Sequence, residues 1–263
     1  MSNLKDFTQM TKALKGKMAM ITGASSGIGW ATAEVLGTQG ASLILCGRRK
    51  DRLRELQSKL DTPTHLLVFD VGDKNAVFEK INSLPKAFTS IDILINNAGN
   101  AHGLKPVHKA DLEDWDAMID SNVKGLMYVT KAVLPSMVSR KTGHIINLGS
   151  IAGKEVYPHG SVYCSSKYAI DAFTQGLRLD LNSLNIKVSA INPGMVDTEF
   201  SDVRFKGDKD KATQVYKGLT PLLAKDVADV ILYMAQAPDH VNIADVLLLP
   251  RAQANVYVAH RNP

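Results

Sequence analysis

The sequence predicts one α/β domain built on a doubly wound parallel sheet, with helices on both faces. Three observations carry this expectation. Short apolar runs alternate with helical patterns along most of the chain, as βαβ units require. Runs such as ASLILC (41–46) are apolar on successive residues, the pattern of strands covered on both faces. A glycine-rich turn, TGASSGIG (22–29), links the first run to the first helix.

The elements follow in order. Residues 1–16 read as a short amphipathic lead-in, and KMAMI (17–21) as a first strand. A helix over WATAEVLGTQG closes on Gly40, and ASLILC is the second strand. DRLRELQSKL (51–60) is helical, THLLVFD (64–70) a strand, NAVFEKINSL (75–84) helical and IDILINN (91–97) a strand. A long helix is expected over 111–140, with Pro135 as the point where it would break. GHIINLGS (143–150) is a strand, 161–184 a long helix, IKVSAIN (186–192) a strand, 225–237 a helix and VLLLP (246–250) a last strand. With right-handed crossovers this is a Rossmann-type layer. No composition break marks a second domain. The expected organisation is a catalytic domain over 17–250, an irregular insertion at about 195–220 and a tail at 251–263.

Composition excludes several classes. The chain has 263 residues, 45% hydrophobic and 22% charged, an ordinary globular balance. Its net charge of +5 is dispersed, and RRKDRLR (48–54) is the densest basic cluster. With a pI of about 9.1 but no nucleic-acid reading motif, a site for an anionic small molecule is the expected use of that charge, and no nucleic-acid partner is expected. Cys46 and Cys164 form no CxxC or ligand cluster, which fits a reduced, cytoplasmic compartment. The N-terminus has no apolar signal core, and no run approaches the ~20 apolar residues of a membrane span, so no membrane partner is expected. The seven histidines lack metal-ligand spacing, so no metal is expected.

Chemistry concentrates in SIAGKEVYPHGSVYCSSK (150–167). Tyr163 and Lys167 lie four apart on a helix, which places a phenol beside an ammonium. A free tyrosine, with a pKa of about 10, is a feeble base at neutral pH. A nearby cation favours the phenolate, but reaching about 7 needs roughly 4 kcal/mol. Lys167 alone would not supply that in a wet site; an oxidised nicotinamide would add a second positive charge.

TGASSGIG carries Gly23, Gly27 and Gly29, which let the backbone turn sharply and approach a pyrophosphate at the positive end of a helix. Its G-x-x-x-G-x-G spacing is neither the usual dinucleotide fingerprint nor a P-loop. The second strand ends in Cys46-Gly47-Arg48-Arg49 with no acid at its tip. Two guanidiniums there suit a ribose 2′-phosphate and point to NADP(H) over NAD(H). NNAG (96–99) closes the fourth strand, where ligands of open α/β sheets bind, and Asn122 is a polar residue inside a helical pattern.

Together, TGASSGIG, NNAG, Asn122, Ser150, Tyr163-x-x-x-Lys167 and Asn192-Pro193-Gly194 resemble the short-chain dehydrogenases/reductases over about residues 16–250. The resemblance implies a catalytic set of Asn122, Ser150, Tyr163 and Lys167. Tyr163 would be the acid in carbonyl reduction and the base in alcohol oxidation. Ser150 would hold the substrate oxygen, Lys167 would bind the nicotinamide ribose, and Asn122 would hold a water that passes protons to Lys167. The implied coenzyme-contacting set is Gly23, Ser25, Ser26, Gly27, Ile28, Gly29, Arg48, Arg49, Asp70, Val71, Asn97, Ala98, Gly99, Tyr163, Lys167, Pro193, Gly194, Val196 and Thr198. Within it Asp70 would contact the adenine and the 193–198 segment the carboxamide. Relatives of this kind are usually dimers or tetramers joined through the long helices, so a homo-oligomer is expected.

A narrower likeness, in SIAGKEVYPHGSVYCSSK, TEFSDVRFKG, DVADVI and HVNIADVLLLP, is to the NADP-dependent 3-hydroxy acid dehydrogenases, whose substrates carry a carboxylate. The substrate-contacting set is then Ser150, Tyr163 and Arg204, with Arg204 gripping the carboxylate by two hydrogen bonds. The alternative for Arg204 is an ion pair with Asp202 or Glu199. His102 stands where those relatives more often carry an aliphatic residue. Competing readings are a broad NADPH-dependent carbonyl reductase and a non-catalytic NADP-binding sensor.

Overall fold

The computed structural model describes residues 12–262, so most of the expected lead-in lies outside the described residues. Residues 13–16 form a turn whose Leu14 is buried and whose backbone N–H donates to the Gln39 carbonyl.

Six strands of the main sheet are β1 (Met18–Thr22), β2 (Ser42–Gly47), β3 (Thr64–Val68), β4 (Ile93–Asn96), β5 (Gly143–Leu148) and β6 (Ile186–Pro193). After a short pair, β7 (Val196–Asp197) with β8 (Leu222–Leu223), the edge strand β9 (Asp245–Leu248) completes it. The order is β3-β2-β1-β4-β5-β6-β9, and every neighbouring pair is parallel. The strands are apolar on successive residues because each face packs under its own helices. Ala19, Ile21, Leu43, Leu45, Ile93 and Ile95 face one core, with α1 (Gly27–Thr38) and α9 (Ala224–Ala235). Met20, Ile44, Leu94, Ile145 and Val188 face the other, with α3 (Lys74–Asn82), α5 (Leu126–Arg140) and α6 (Ser161–Leu181). The side-chain period of two separates these sets strand by strand, and full burial of each Leu or Ile stabilises by about 1.5–3 kcal/mol.

The strand order reverses on either side of β1. A crevice therefore opens between the carboxyl ends of β1 and β4, flanked by the start of α1 and the entry to α2 (Lys50–Ser58).

Two expectations need correction. The helix expected over 111–140 is α4 (Leu112–Met118), a π-helical turn (Ile119–Gly125) and α5. Pro135 sits inside α5 without ending it: it is exposed, so water can take the carbonyl that its missing N–H leaves free. The wide turn falls instead at Asn122. The segment at 195–220 is not irregular. It holds β7, α7 (Phe200–Arg204) and α8 (Lys209–Gln214), the last capped by the Asp208 carboxylate accepting from Lys211 N–H. The tail folds back on its own chain: Tyr257 donates to the Val156 carbonyl, and Arg261 to the carbonyls of Val215 and Lys217.

Candidate active site

β5 delivers Gly149 and Ser150 to the crevice. The Asn192 side-chain carbonyl accepts from Ser150 N–H at 3.2 Å, and a Cβ on Gly149 would lie 1.9 Å from that oxygen. Only glycine lets β5 and β6 close this tightly. A single 3₁₀ turn follows, in which the Ser150 hydroxyl accepts from Ala152 N–H at 3.1 Å. α6 then carries Tyr163, Ser166 and Lys167 on its buried face, as the four-residue spacing predicts.

The Lys167 ammonium donates to the Leu148 carbonyl at 3.0 Å and lies 5.9 Å from the Tyr163 ring centroid. Burial pulls its pKa down to about 8. Tyr163 is displaced upward, first by burial and then by the Tyr157 phenol beside it, while the Arg204 guanidinium and a hydrogen bond from Ser150 act in the other direction. Desolvation dominates at both groups.

Asn122 is buried behind the site. Its amide donates to the Asn100 carbonyl at 2.8 Å and to the Ser166 hydroxyl at 3.0 Å. Its oxygen accepts from Asn100 N–H at 2.8 Å and from the Ser121 hydroxyl at 3.1 Å. The side chain thereby holds the 99–100 segment, while the Ser121 hydroxyl shares its one hydrogen with the Ala117 carbonyl at 2.7 Å.

The crevice continues into a cleft of about 520 Å³. Every residue expected to contact a coenzyme lines it except Gly29, which lies just behind. A Cβ on Gly29 would fall 2.4 Å from the Gly23 carbonyl, so its role is close packing of α1 on the turn. Gly23 and Gly27 adopt φ of +67° and +52°, conformations that glycine favours. Ser26 caps α1 without a side-chain hydrogen bond, which leaves the first-turn amides for an anion. Arg48 and Arg49 stand at the cleft's far rim. These features fit a dinucleotide with an additional phosphate near β2. Among the described residues no group of His, Cys, Asp and Glu could hold a metal, and no helix is long and apolar enough to cross a membrane.

Arg204 reaches the same cleft from α7. Its guanidinium carbon lies 5.1 Å from the Tyr163 ring centroid, 5.6 Å from that of Tyr157 and 5.9 Å from that of Phe200. One nitrogen donates to the Tyr157 hydroxyl, while the buried Nε has no partner. Among the described residues it forms no ion pair. Glu199 pairs instead with Arg49 at 2.7 Å and Arg52 at 3.2 Å. His102 lies to one side, near Asp114 and Lys206, and burial lowers its pKa.

Several contributors have no sequence signal. Tyr157 becomes visible only through its contact with Arg204. Gln253, in the tail, accepts from Met195 N–H at 2.9 Å and would be struck by any Cβ on Gly194. It braces the segment expected at the carboxamide.

A seven-stranded parallel sheet, a glycine turn under an uncapped helix and a Ser-Tyr-Lys cluster at the carboxyl ends of the strands together define a dinucleotide-dependent oxidoreductase fold. The family model described as short chain dehydrogenase matches residues 17–209, and the chain belongs to that family. It is 43% identical over 238 residues to the NADP-dependent 3-hydroxy acid dehydrogenase of Escherichia coli (strain K12), covering 90% of this chain and 96% of that one. It is 45% identical over 253 residues to the NADP-dependent 3-hydroxy acid dehydrogenase of Schizosaccharomyces pombe, covering 94% and 98%. A solved closed form of serine dehydrogenase complexed with NADP+ superposes with a TM-score of 0.89 at 42% identity, covering 94% of this chain and 100% of that one.

Proposed function

We propose that this protein is an NADP(H)-dependent dehydrogenase that interconverts a 3-hydroxy acid, such as serine or 3-hydroxypropionate, with its 3-oxo acid or semialdehyde. The observation that carries the substrate class is Arg204: a cation in the reaction cleft, boxed by three aromatic rings, with an unpartnered buried Nε and, among the described residues, no carboxylate of its own. A planar guanidinium so placed matches a carboxylate with two hydrogen bonds. The names of the relatives agree with this class and with the coenzyme.

When bound, the nicotinamide coenzyme supplies the hydride chemistry. The Ser150 hydroxyl holds the substrate oxygen. Tyr163 takes the hydroxyl proton in oxidation and returns it to the carbonyl oxygen in reduction. Lys167, held by the Leu148 carbonyl, adds positive charge beneath the phenol and is placed to bind the ribose. The α1 amides and the turn at 23–29 receive the pyrophosphate, and Arg48 and Arg49 the 2′-phosphate. Asp70 serves the adenine end, and 97–99 and 193–198 form the walls. Because Tyr163 must be a phenolate to take the proton and a phenol to return it, oxidation gains rate as pH rises while reduction persists at lower pH.

Arg204→Met tests the substrate class. Two charge-assisted hydrogen bonds at about 1.5–3 kcal/mol each predict a loss of roughly a hundredfold to ten-thousandfold in kcat/KM for serine and 3-hydroxypropionate. Neutral ketones should lose far less. An equal loss for both, or none for the acids, rejects carboxylate recognition by Arg204 and favours a broad carbonyl reductase.

A further inference from the structure

We infer that Glu199 is a specificity-determining residue for the coenzyme: its carboxylate occupies the Arg49 nitrogen that a 2′-phosphate would take, so the chain carries an internal competitor for that phosphate. The inference rests on reading Arg48 and Arg49 as the 2′-phosphate site.

The Arg49 guanidinium is fixed from one side by Ser25, its Nε donating to the hydroxyl at 3.2 Å and its Nη2 to the carbonyl at 3.3 Å. The remaining nitrogen, Nη1, donates to Glu199 Oε2 at 2.7 Å. The other Glu199 oxygen accepts from Arg52 Nη2 at 3.2 Å. Three of the five Arg49 N–H donors are engaged, so a phosphate that takes the remaining Nη1 hydrogen must sit beside the Glu199 carboxylate. A phosphate monoester carrying a charge near −2 would repel a carboxylate on the same nitrogen. Arg48 is engaged in the same way by Asp70, at 3.3 Å, but that pair lies within the adenine end of the cleft. Glu199 differs because it arrives from the segment that also bears Thr198 and Arg204. A 2′-phosphate that displaces it from Arg49 leaves Glu199 held to α2 through Arg52 alone, and so ties recognition of the coenzyme's far end to the segment facing the substrate. The Arg49 and Glu199 side chains are 47% and 42% exposed, so solvent screens the pair and the competition is modest.

The test is calorimetric binding of adenosine 2′,5′-bisphosphate and of 5′-AMP to the wild type, Glu199→Gln and Arg49→Gln. Glu199→Gln should bind the bisphosphate about twofold to fivefold more tightly, the equivalent of an exposed ion pair removed, with 5′-AMP unchanged. The gain should vanish in about 1 M salt. Arg49→Gln should weaken only the bisphosphate. If Arg49→Gln weakens it while Glu199→Gln leaves it unchanged, the competition is rejected and the phosphate site stands. If Glu199→Gln weakens it, Glu199 closes over the coenzyme rather than competing with it, and the inference is equally rejected. If Arg49→Gln leaves the bisphosphate unaffected, the phosphate site itself is misplaced.

Discussion

Replacing Lys167 with methionine should make the coenzyme-free protein more stable at neutral pH while destroying its function. Lys167 is 6% exposed, and burial takes its pKa from 10.5 to about 8. At pH 7 the folded protein holds the ammonium against its desolvation, a cost of roughly 3 kcal/mol at about 1.36 kcal/mol per pH unit. Methionine fills similar volume without that charge. It forfeits the 3.0 Å hydrogen bond to the Leu148 carbonyl, which costs about 1–2 kcal/mol. The net expectation is a gain of about 1–2 kcal/mol at pH 7, or a few degrees in Tm for a chain of this size. The sign depends on pH. Between pH 8 and 10.5 the unfolded chain binds the lysine proton more tightly than the folded one, so the wild type gains stability as pH rises through that window. Urea denaturation of both proteins from pH 7 to 10.5 should show the advantage of Lys167→Met shrinking and then reversing. A variant less stable than the wild type at pH 7, or a difference that does not change with pH, would refute the reasoning.

Two further outcomes are expected. Tyr163→Phe should lower kcat in both directions by about two to four orders of magnitude while leaving NADPH binding, read by fluorescence titration, intact; substantial turnover would remove the phenol from the proton path. His144, buried against the Ser189 hydroxyl at 2.8 Å, has its pKa lowered by burial from 6.5 to about 3 and stays neutral when folded. Below pH 6.5 the unfolded chain takes up a proton that the folded one does not, so stability falls with pH. His144→Gln should lose about 2–3 kcal/mol less than the wild type between pH 6.5 and 4.5 in acid denaturation. Parallel acid curves would show that other groups dominate.

The sequence by itself determined what is local. Successive apolar residues marked the buried strands because a strand covered on both faces has no polar side. The glycines of 22–29 marked the turn because only they tolerate its backbone. Tyr163 and Lys167 were neighbours on any helix. Whatever depended on distant segments packing together was decided by the tertiary structure. Asn122 looked like a helix defect until the π turn pointed it at Asn100 and Ser166. Arg204 had Asp202 and Glu199 as its sequence neighbours, yet it was placed among Tyr157, Tyr163 and Phe200, while Glu199 crossed to Arg49. The direction of the Tyr163 shift was likewise beyond the sequence, because desolvation is a property of everything that surrounds a group, and spacing along one helix fixes only a single neighbour.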